Sequence, residues 1–573
     1  MQTRNINKKG NNMLAKVSKI STAVMLGTMM LAGAAGNAMA ADNKTVLTLV
    51  AQQETAWVKN FNPFLQAGLL HTTRHFIYEP LVIFNDMQGG KPVYRLATHY
   101  EFSKDLKSVT FDLRDGVKWS DGQPFTADDI LFSFNLVKAN KALDERSIWT
   151  QIKSVEKLAP NKVKFELTDV NTNVVNDLVL VPIVPEHQWK SVKDPVAFTN
   201  DKPVGTGPFT EVDNFSAQLY TQCRNPHYWD NANLSIDCLR MPQMATNDQV
   251  LAAVMKGDVD WFGSFVPDIE RLYVGNDPKN NKYWFPASGT VAFNVNFQAK
   301  KPGNHEAFND INFRRAFSMA MDRQSMVDIA GYGYPTVNEY PSGLGKAFDS
   351  WNNPEVDKKY GKYNKFDLEG AKALLKQAGY KDCDGDKFLD TPTCQKIEFK
   401  VLVPNGWTDW VNTAQIGVEG LQALGLNAKT ATPEATVWTE NLITGDFDVA
   451  LQGYFAGANP HKYFETAFHS RNMGERGNRF AAPRYKDPAL DKLIDDFTQT
   501  ADAAKQKEIM FEIQDRVGAN QTIIPVFNNP TWYEYSTKRF HGWFSADNPV
   551  AKPQVHPDTP ERLLHVLSLK PNS

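Results

Sequence analysis

The chain is short of cysteine, with four in 573 residues, and short of histidine, with 11. No two cysteines form Cys-x-x-Cys, which sets a structural zinc site aside. There is no Gly-x-Ser-x-Gly elbow, no His-Glu-x-x-His, no P-loop and no Gly-x-Gly-x-x-Gly. The usual sequence marks of a hydrolase nucleophile, a zinc protease and a nucleotide cofactor are therefore missing, and no cofactor is expected. A basic block is missing too. The formal net charge is −3, and residues 1–40 hold Arg4, Lys8, Lys9, Lys16 and Lys19 without a single acid. The rest carries 57 basic against 65 acidic residues, a balance that argues against nucleic acid as a partner. After residue 40 no stretch is apolar enough to span a bilayer. Internal repeats and low-complexity linkers are also lacking.

What is present begins with an address. The basic stretch ends at Lys19, an apolar run follows from Ile20 to Gly36, and Ala38-Met39-Ala40 closes it. This is the pattern of a secretory signal peptide cut before Ala41, with Met13 a second candidate start. Gly27, Gly33 and Gly36 dilute the run too much for an anchor, and no cysteine near the cut offers a lipid-attachment site. An exported, soluble, periplasmic body is expected. The cysteines agree with export: they fall as near pairs, Cys223/Cys238 and Cys383/Cys394. Four cysteines allow three connectivities, and proximity favours these two bridges.

Two clusters invite a metal reading. His71 and His75 stand four apart on an expected short helix from His71 to Tyr78, but nothing nearby completes a site, and they read as surface or capping residues. Asp382, Asp384, Asp386 and Asp390 resemble a calcium loop, yet Gly385 comes two places early and no Glu closes the twelfth position. A disulfide-pinned acidic turn is expected instead, and no metal.

Periodicity gives an α/β chain. Val109, Phe111 and Leu113 alternate, as do Val163, Phe165 and Leu167, and Thr126 caps a helix to about Lys138. Residues 84–204 thus read as an α+β insert. Later, Phe313, Ala316, Phe317, Ala320 and Val327 predict one long helix stopped by Gly331, with Met319, Met321 and Met326 as core filler. Helices capped by Asp367 and opened by Asp487-Pro488 alternate with strands at 396–403 and 447–452.

In open α/β sheets ligands bind beyond the carboxyl ends of strands. The first of those strands runs into Gly406-Trp407-Thr408-Asp409-Trp410, the second into Gly453-Tyr454-Phe455. Arg479-Phe480 lies in a glycine-flanked loop and pairs a five-donor fork with an apolar face. At 12% aromatics, with 13 Trp, the chain has rings enough for a binding site as well as a core.

Several ordered blocks then resemble a known family. They are Ile77-Tyr78-Glu79-Pro80-Leu81-Val82, the run Phe111 to Gly122, Thr126-Ala127-Asp128-Asp129, Val204-Gly205-Thr206-Gly207-Pro208-Phe209, Arg224-Asn225-Pro226-His227-Tyr228-Trp229 and Phe313-Arg314-Arg315-Ala316-Phe317. Over residues 45–567 the chain resembles the extracytoplasmic solute-binding proteins of family 5, the peptide-type component of ABC importers. That resemblance implies a two-lobed periplasmic binding protein of type II, cluster C, with an extra inserted α+β domain. It implies a first lobe from 41–83, 205–295 and 530–573, an insert at 84–204 and a second lobe at 296–529. It implies a monomer that is not an enzyme, a small-molecule ligand, a membrane ABC permease as partner and, in some relatives, a membrane sensor kinase.

Within the family the chain is most similar to chitooligosaccharide-binding members, through Asn405–Asp409, Asn247-Asp248-Gln249, Ser264-Phe265-Val266-Pro267 and the tail Pro560–Leu567. The positions of Trp407, Asp409, Phe455, Arg479, Phe480, Asn247 and Ser264 line the sugar cleft in those relatives. Gly453 stands where they are expected to carry Asn and His556 where a stacking Trp is expected, which makes Trp543 the candidate second platform. Peptide binders hold the ligand amino terminus with an Asp in Gly-Trp-x-x-Asp, and here that stretch reads Gly453-Tyr454-Phe455-Ala456-Gly457. The expected ligand is therefore a β-linked oligosaccharide, with an oligopeptide as the alternative and an exported glycan-active enzyme as the third reading.

Overall fold

The computed structural model describes residues 44–64, 72–144, 146–454, 457, 459–474 and 476–572. The signal peptide, His71 and Phe455 lie outside the described residues. Three sheets organise the rest. The first has seven strands in the order Asn281–Tyr283, Glu534–Ser536, Trp261–Phe262, Val46–Val50, Cys238–Pro242, Leu219–Arg224 and Phe209–Phe215. Val46–Val50 is buried almost throughout, because it runs parallel to Cys238–Pro242 on one side and to Trp261–Phe262 on the other.

The second sheet has six strands, Thr336–Val337, Ile524–Pro530, Ala287–Val295, Val449–Tyr454, Glu398–Leu402 and Asn427–Ala431. Helices cover it, their starts set by acids at the cap. Asp367 accepts from the Gly370 N–H at 2.8 Å, and Asp487 accepts from Ala489 at 3.1 Å. The third sheet, Ala97–Phe102, Ser108–Leu113, Lys162–Leu167 and Ile152–Ala159, carries the helix Ala127–Ala139, and Phe134 meets Phe165 at 4.8 Å between ring centres. Thr126 and Asp129 form a full capping box at its start.

Only short segments run from the first sheet to the second at Tyr283–Ala287 and back at Pro530–Glu534. They pair with each other: Trp284 N–H donates to Tyr533 O at 3.0 Å and Thr531 N–H to Pro286 O at 2.8 Å. The third sheet's unit also touches the second lobe. Thr172 N–H donates to Thr498 O at 2.8 Å, and Lys462 Nζ sits 2.7 Å from Asp177. No helix among the described residues is long and apolar enough to cross a membrane.

Two expected elements differ. The long helix is broken into Ile311–Met319, Arg323–Ser325 and a wider turn at Met326–Ala330. Asp322 starts a new helix by capping Ser325, and buried Arg323 is held by carbonyls of Pro525 and Ser318. Residues 72–78 form turns rather than a helix, because His75 has φ +68° and its N–H returns to Tyr78 O. His75 is buried, not a surface or capping residue. Both disulfides, Cys223–Cys238 and Cys383–Cys394, are formed. The first joins residues directly opposite in neighbouring strands.

Candidate functional site

The strand Glu398–Leu402 runs into a loop that turns sharply at Gly406 (φ +81°) before the helix Thr408–Ala423. Trp407 occupies the cap position of that helix. Its ring lies 5.1 Å from Trp410 and 5.9 Å from Trp438, so three indoles form one cluster. The Trp407 Nε1–H is buried and has no protein acceptor among the described residues. Asp409 follows in the first helical turn and is buried. Burial pushes its carboxyl up to about 7, against hydrogen bonds from the Trp410 backbone, its own backbone and the Asn247 side chain.

Asn247 brings the first lobe to this point. It opens the helix Asn247–Met255, its N–H donates to Gly406 O at 3.3 Å, and its Nδ2 donates to Thr408 Oγ1 at 3.3 Å. Ser264 lies beside it, joined through Gln53, whose Nε2 donates to Asn247 Oδ1 at 2.8 Å and Ser264 Oγ at 2.9 Å. Beyond Ser264 is a second buried acid. Glu534 accepts from the Ser264 N–H at 3.4 Å, and burial lifts its carboxyl well above the usual range.

A second bridge crosses the lobes one residue earlier in the chain. Gln52 Oε1 meets His556 Nε2 at 2.8 Å, His556 lies 3.8 Å from Asp558, and Asp558 pairs with Arg479 at 3.2 Å. Burial pulls Asp558 upward, but His556, Arg479, Arg74 and Arg146 together hold it well below the ordinary carboxylate range. The Arg479 guanidinium also covers the Phe480 ring at 4.7 Å. Gly453 lets the Trp410 ring pack closely against the strand: a Cβ there would sit 3.3 Å from Trp410 Cη2.

Trp407, Asp409, Asn247 and Ser264 are thus brought together, and Arg479 with Phe480 forms a neighbouring group through Asp558. Trp543 joins neither. It is buried in the first lobe's core, 5.2 Å from Tyr535 and 5.5 Å from His565, with its Nε1–H spent on Phe540 O. Gln53, Thr408, Trp438 and Asp558 were not foreseen. The signal for Gln53 was its place just past the carboxyl end of an apolar strand.

The acidic turn holds Asp382, Asp384 and Asp390 with ligand atoms within 4.8 Å of one another. Lys396 meets Asp384 at 2.6 Å and Asp386 at 3.1 Å, and Asp390 accepts from the Cys383 N–H at 2.9 Å. These contacts satisfy the turn internally.

Two lobes joined by paired crossing segments, with polar and aromatic groups meeting along their seam, define a type II, cluster C binding protein. Residues 91–475 match the model of the bacterial extracellular solute-binding proteins, family 5 Middle, and the chain belongs to that family. It is 25% identical over 498 residues to the oligopeptide-binding protein OppA of Bacillus subtilis, covering 82% of this chain and 85% of that one. It is 26% identical over 482 residues to the periplasmic oligopeptide-binding protein OppA of Salmonella typhimurium, covering 79% and 81%. Its fold superposes with TM-score 0.84, at 24% identity and over 93% and 99% of the chains, on a mannohexaose-bound periplasmic oligopeptide-binding protein of Thermotoga maritima. It superposes with TM-score 0.77, at 21% identity and over 92% and 100%, on AppA of Bacillus subtilis in complex with a nonapeptide. The chain is accordingly an extracytoplasmic solute-binding protein that works with an ABC permease, and it is not an enzyme.

Proposed function

We propose that this chain captures a β-linked oligosaccharide of the chitooligosaccharide class in the periplasm and delivers it to its permease. The observation that carries the reading is the Trp407 site. A sugar ring has a face of C–H groups and a rim of hydroxyls. The half-buried Trp407 ring supplies the apolar face, backed by the buried indoles of Trp410 and Trp438. Asp409, Asn247 and Ser264 supply the polar rim. Phe455, Arg479 and Phe480 complete the proposed lining. Trp543, in its core position, is left out. The chain is proposed to be exported with cleavage before Ala41, and to act as a monomer with the lobes at 41–83, 205–295 and 530–573 and at 296–529, and the insert at 84–204. A membrane sensor kinase is the proposed additional partner.

An oligopeptide is the second reading, and the curated relatives favour it: those of Bacillus subtilis and Salmonella typhimurium are named for oligopeptides. A thermal-shift panel separates the two. Chitobiose, cellobiose and di- to pentapeptides are each added to the mature protein. A ligand at a hundredfold excess over its Kd stabilises by about 2.7 kcal/mol. Chitobiose should raise the midpoint and be recovered intact. Peptides that raise it while both sugars leave it unchanged establish the second reading instead.

A further inference from the structure

Among the described residues, the Gln53 side chain bonds within the first lobe, to Asn247 and Ser264. A primary amide has one accepting and one donating end. Gln53 Nε2 occupies the accepting end of Asn247, at 2.8 Å from Oδ1, and is itself fixed by Ser264 Oγ at 2.9 Å. Gln53, Asn247 and Ser264 are all buried. The donating end of Asn247 therefore turns outward, to Thr408 Oγ1 at 3.3 Å and to the Asp409 carboxyl.

We infer that Gln53 is a positioning residue for lobe closure: it fixes the polarity of the Asn247 amide, so that the first lobe meets Thr408 and Asp409 of the second lobe with N–H donors. The inference rests on reading this seam as the ligand cleft. The opposite polarity would aim Asn247 Oδ1 at a carboxylate in a buried place, where two facing acceptors repel.

Gln53→Glu tests this with almost no change of shape. An ionised Glu only accepts, so it takes its bond from Asn247 Nδ2 and turns the amide end for end. Asn247 Oδ1 then confronts Asp409. Asp409→Asn offers that oxygen an N–H, so the second change should repair the first. A residue that only fills space gives no such repair. Wild type, Q53E, D409N and the double variant are compared at pH 8 in a double-mutant cycle. The readouts are the ligand-free thermal midpoint and the Kd for chitobiose. Q53E should weaken chitobiose about tenfold or more and lower the midpoint. Adding D409N should restore at least half of each loss. Losses that simply add, or a Q53E protein that matches wild type, would overturn the inference. Should Q53E fail to fold, Gln53→Met takes its place: it frees the Asn247 amide, and its loss should not be repaired by D409N. A Q53M protein equal to wild type in both readouts also overturns the inference. If wild type binds no chitobiose, the sugar reading fails, while the ligand-free cycle still decides the role of Gln53.

Discussion

The backbone N–H of Asn247 donates to the carbonyl of Gly406 across the seam between the lobes, at 3.3 Å. Gly406 makes that approach because it has no side chain. Its φ is +81°, and a Cβ would lie 2.9 Å from Thr246 Cγ2 of the first lobe. Gly406→Ala should therefore act on closure more than on folding. The left-handed backbone costs about 1 kcal/mol, whereas the collision exists only when the lobes meet. The expected outcome is a denaturant midpoint close to wild type and a Kd for chitobiose raised about tenfold or more. An unchanged Kd would mean that this seam is not part of the bound state.

Trp407 should be the largest single contributor to sugar affinity. Truncating a central aromatic anchor commonly costs ~2 kcal/mol or more, about thirtyfold in affinity. Trp407→Ala should weaken chitobiose by at least that order in titration calorimetry, with the circular dichroism spectrum intact. Asp409→Asn should weaken it less, because the amide keeps one acceptor. Wild-type affinity in Trp407→Ala would make Trp407 a packing residue of the indole cluster.

Asp409 predicts a pH dependence of defined sign. Burial raises its carboxyl to about 7 in the folded chain, while in the unfolded chain it titrates in the ordinary range near 4. The folded chain holds a proton that the unfolded chain has released. The favourable contribution of the neutral carboxyl is thus complete below the unfolded value and is lost as pH rises through about 7. Glu561, also lifted to about 7 by burial, and Asp86, raised by burial, act in the same direction. The measurement is therefore a difference: between pH 5 and pH 8 the thermal midpoint of wild type should fall more than that of Asp409→Asn. Parallel profiles would contradict the assignment.

The two bridges should differ little in worth. Each closes a short loop, with sequence separations of 15 and 11, for which chain entropy gives about 3 kcal/mol. Non-reducing peptide mapping should recover Cys223 with Cys238 and Cys383 with Cys394. Cys223→Ser with Cys238→Ser should lower the unfolding free energy by about that amount. Crossed pairs or free thiols would contradict the fold around both loops.

What was legible in the sequence was mostly local. Asp367, Asp487 and Thr126 announce their helices, because a cap is satisfied within a few residues. The cysteine pairs were legible for the same reason. The break at Ala320–Asp322 was not, since the periodic apolar residues run across it and Arg323 is held by Pro525, distant in sequence. The turn at His75 hides behind helical spacing because its backbone is fixed by the neighbouring Tyr78 carbonyl. In the site, Trp407, Asp409, Asn247 and Ser264 were reachable through resemblance. Gln53 and Asp558 were not: their partners lie up to about two hundred residues away or in the tail, and a lone Gln or Asp carries no motif. Trp543 shows the opposite failure. A large ring near the chain end reads as a platform, while Trp261, Tyr535 and His565 enclose it in the core.

Two lobes, linked by the paired segments at Tyr283–Ala287 and Pro530–Glu534, are proposed to close on an oligosaccharide. Small-angle X-ray scattering of the mature protein, alone and with saturating chitobiose or tripeptide, tests it most directly. The radius of gyration should shrink with chitobiose and stay unchanged with tripeptide. A radius that shrinks with tripeptide alone would contradict it.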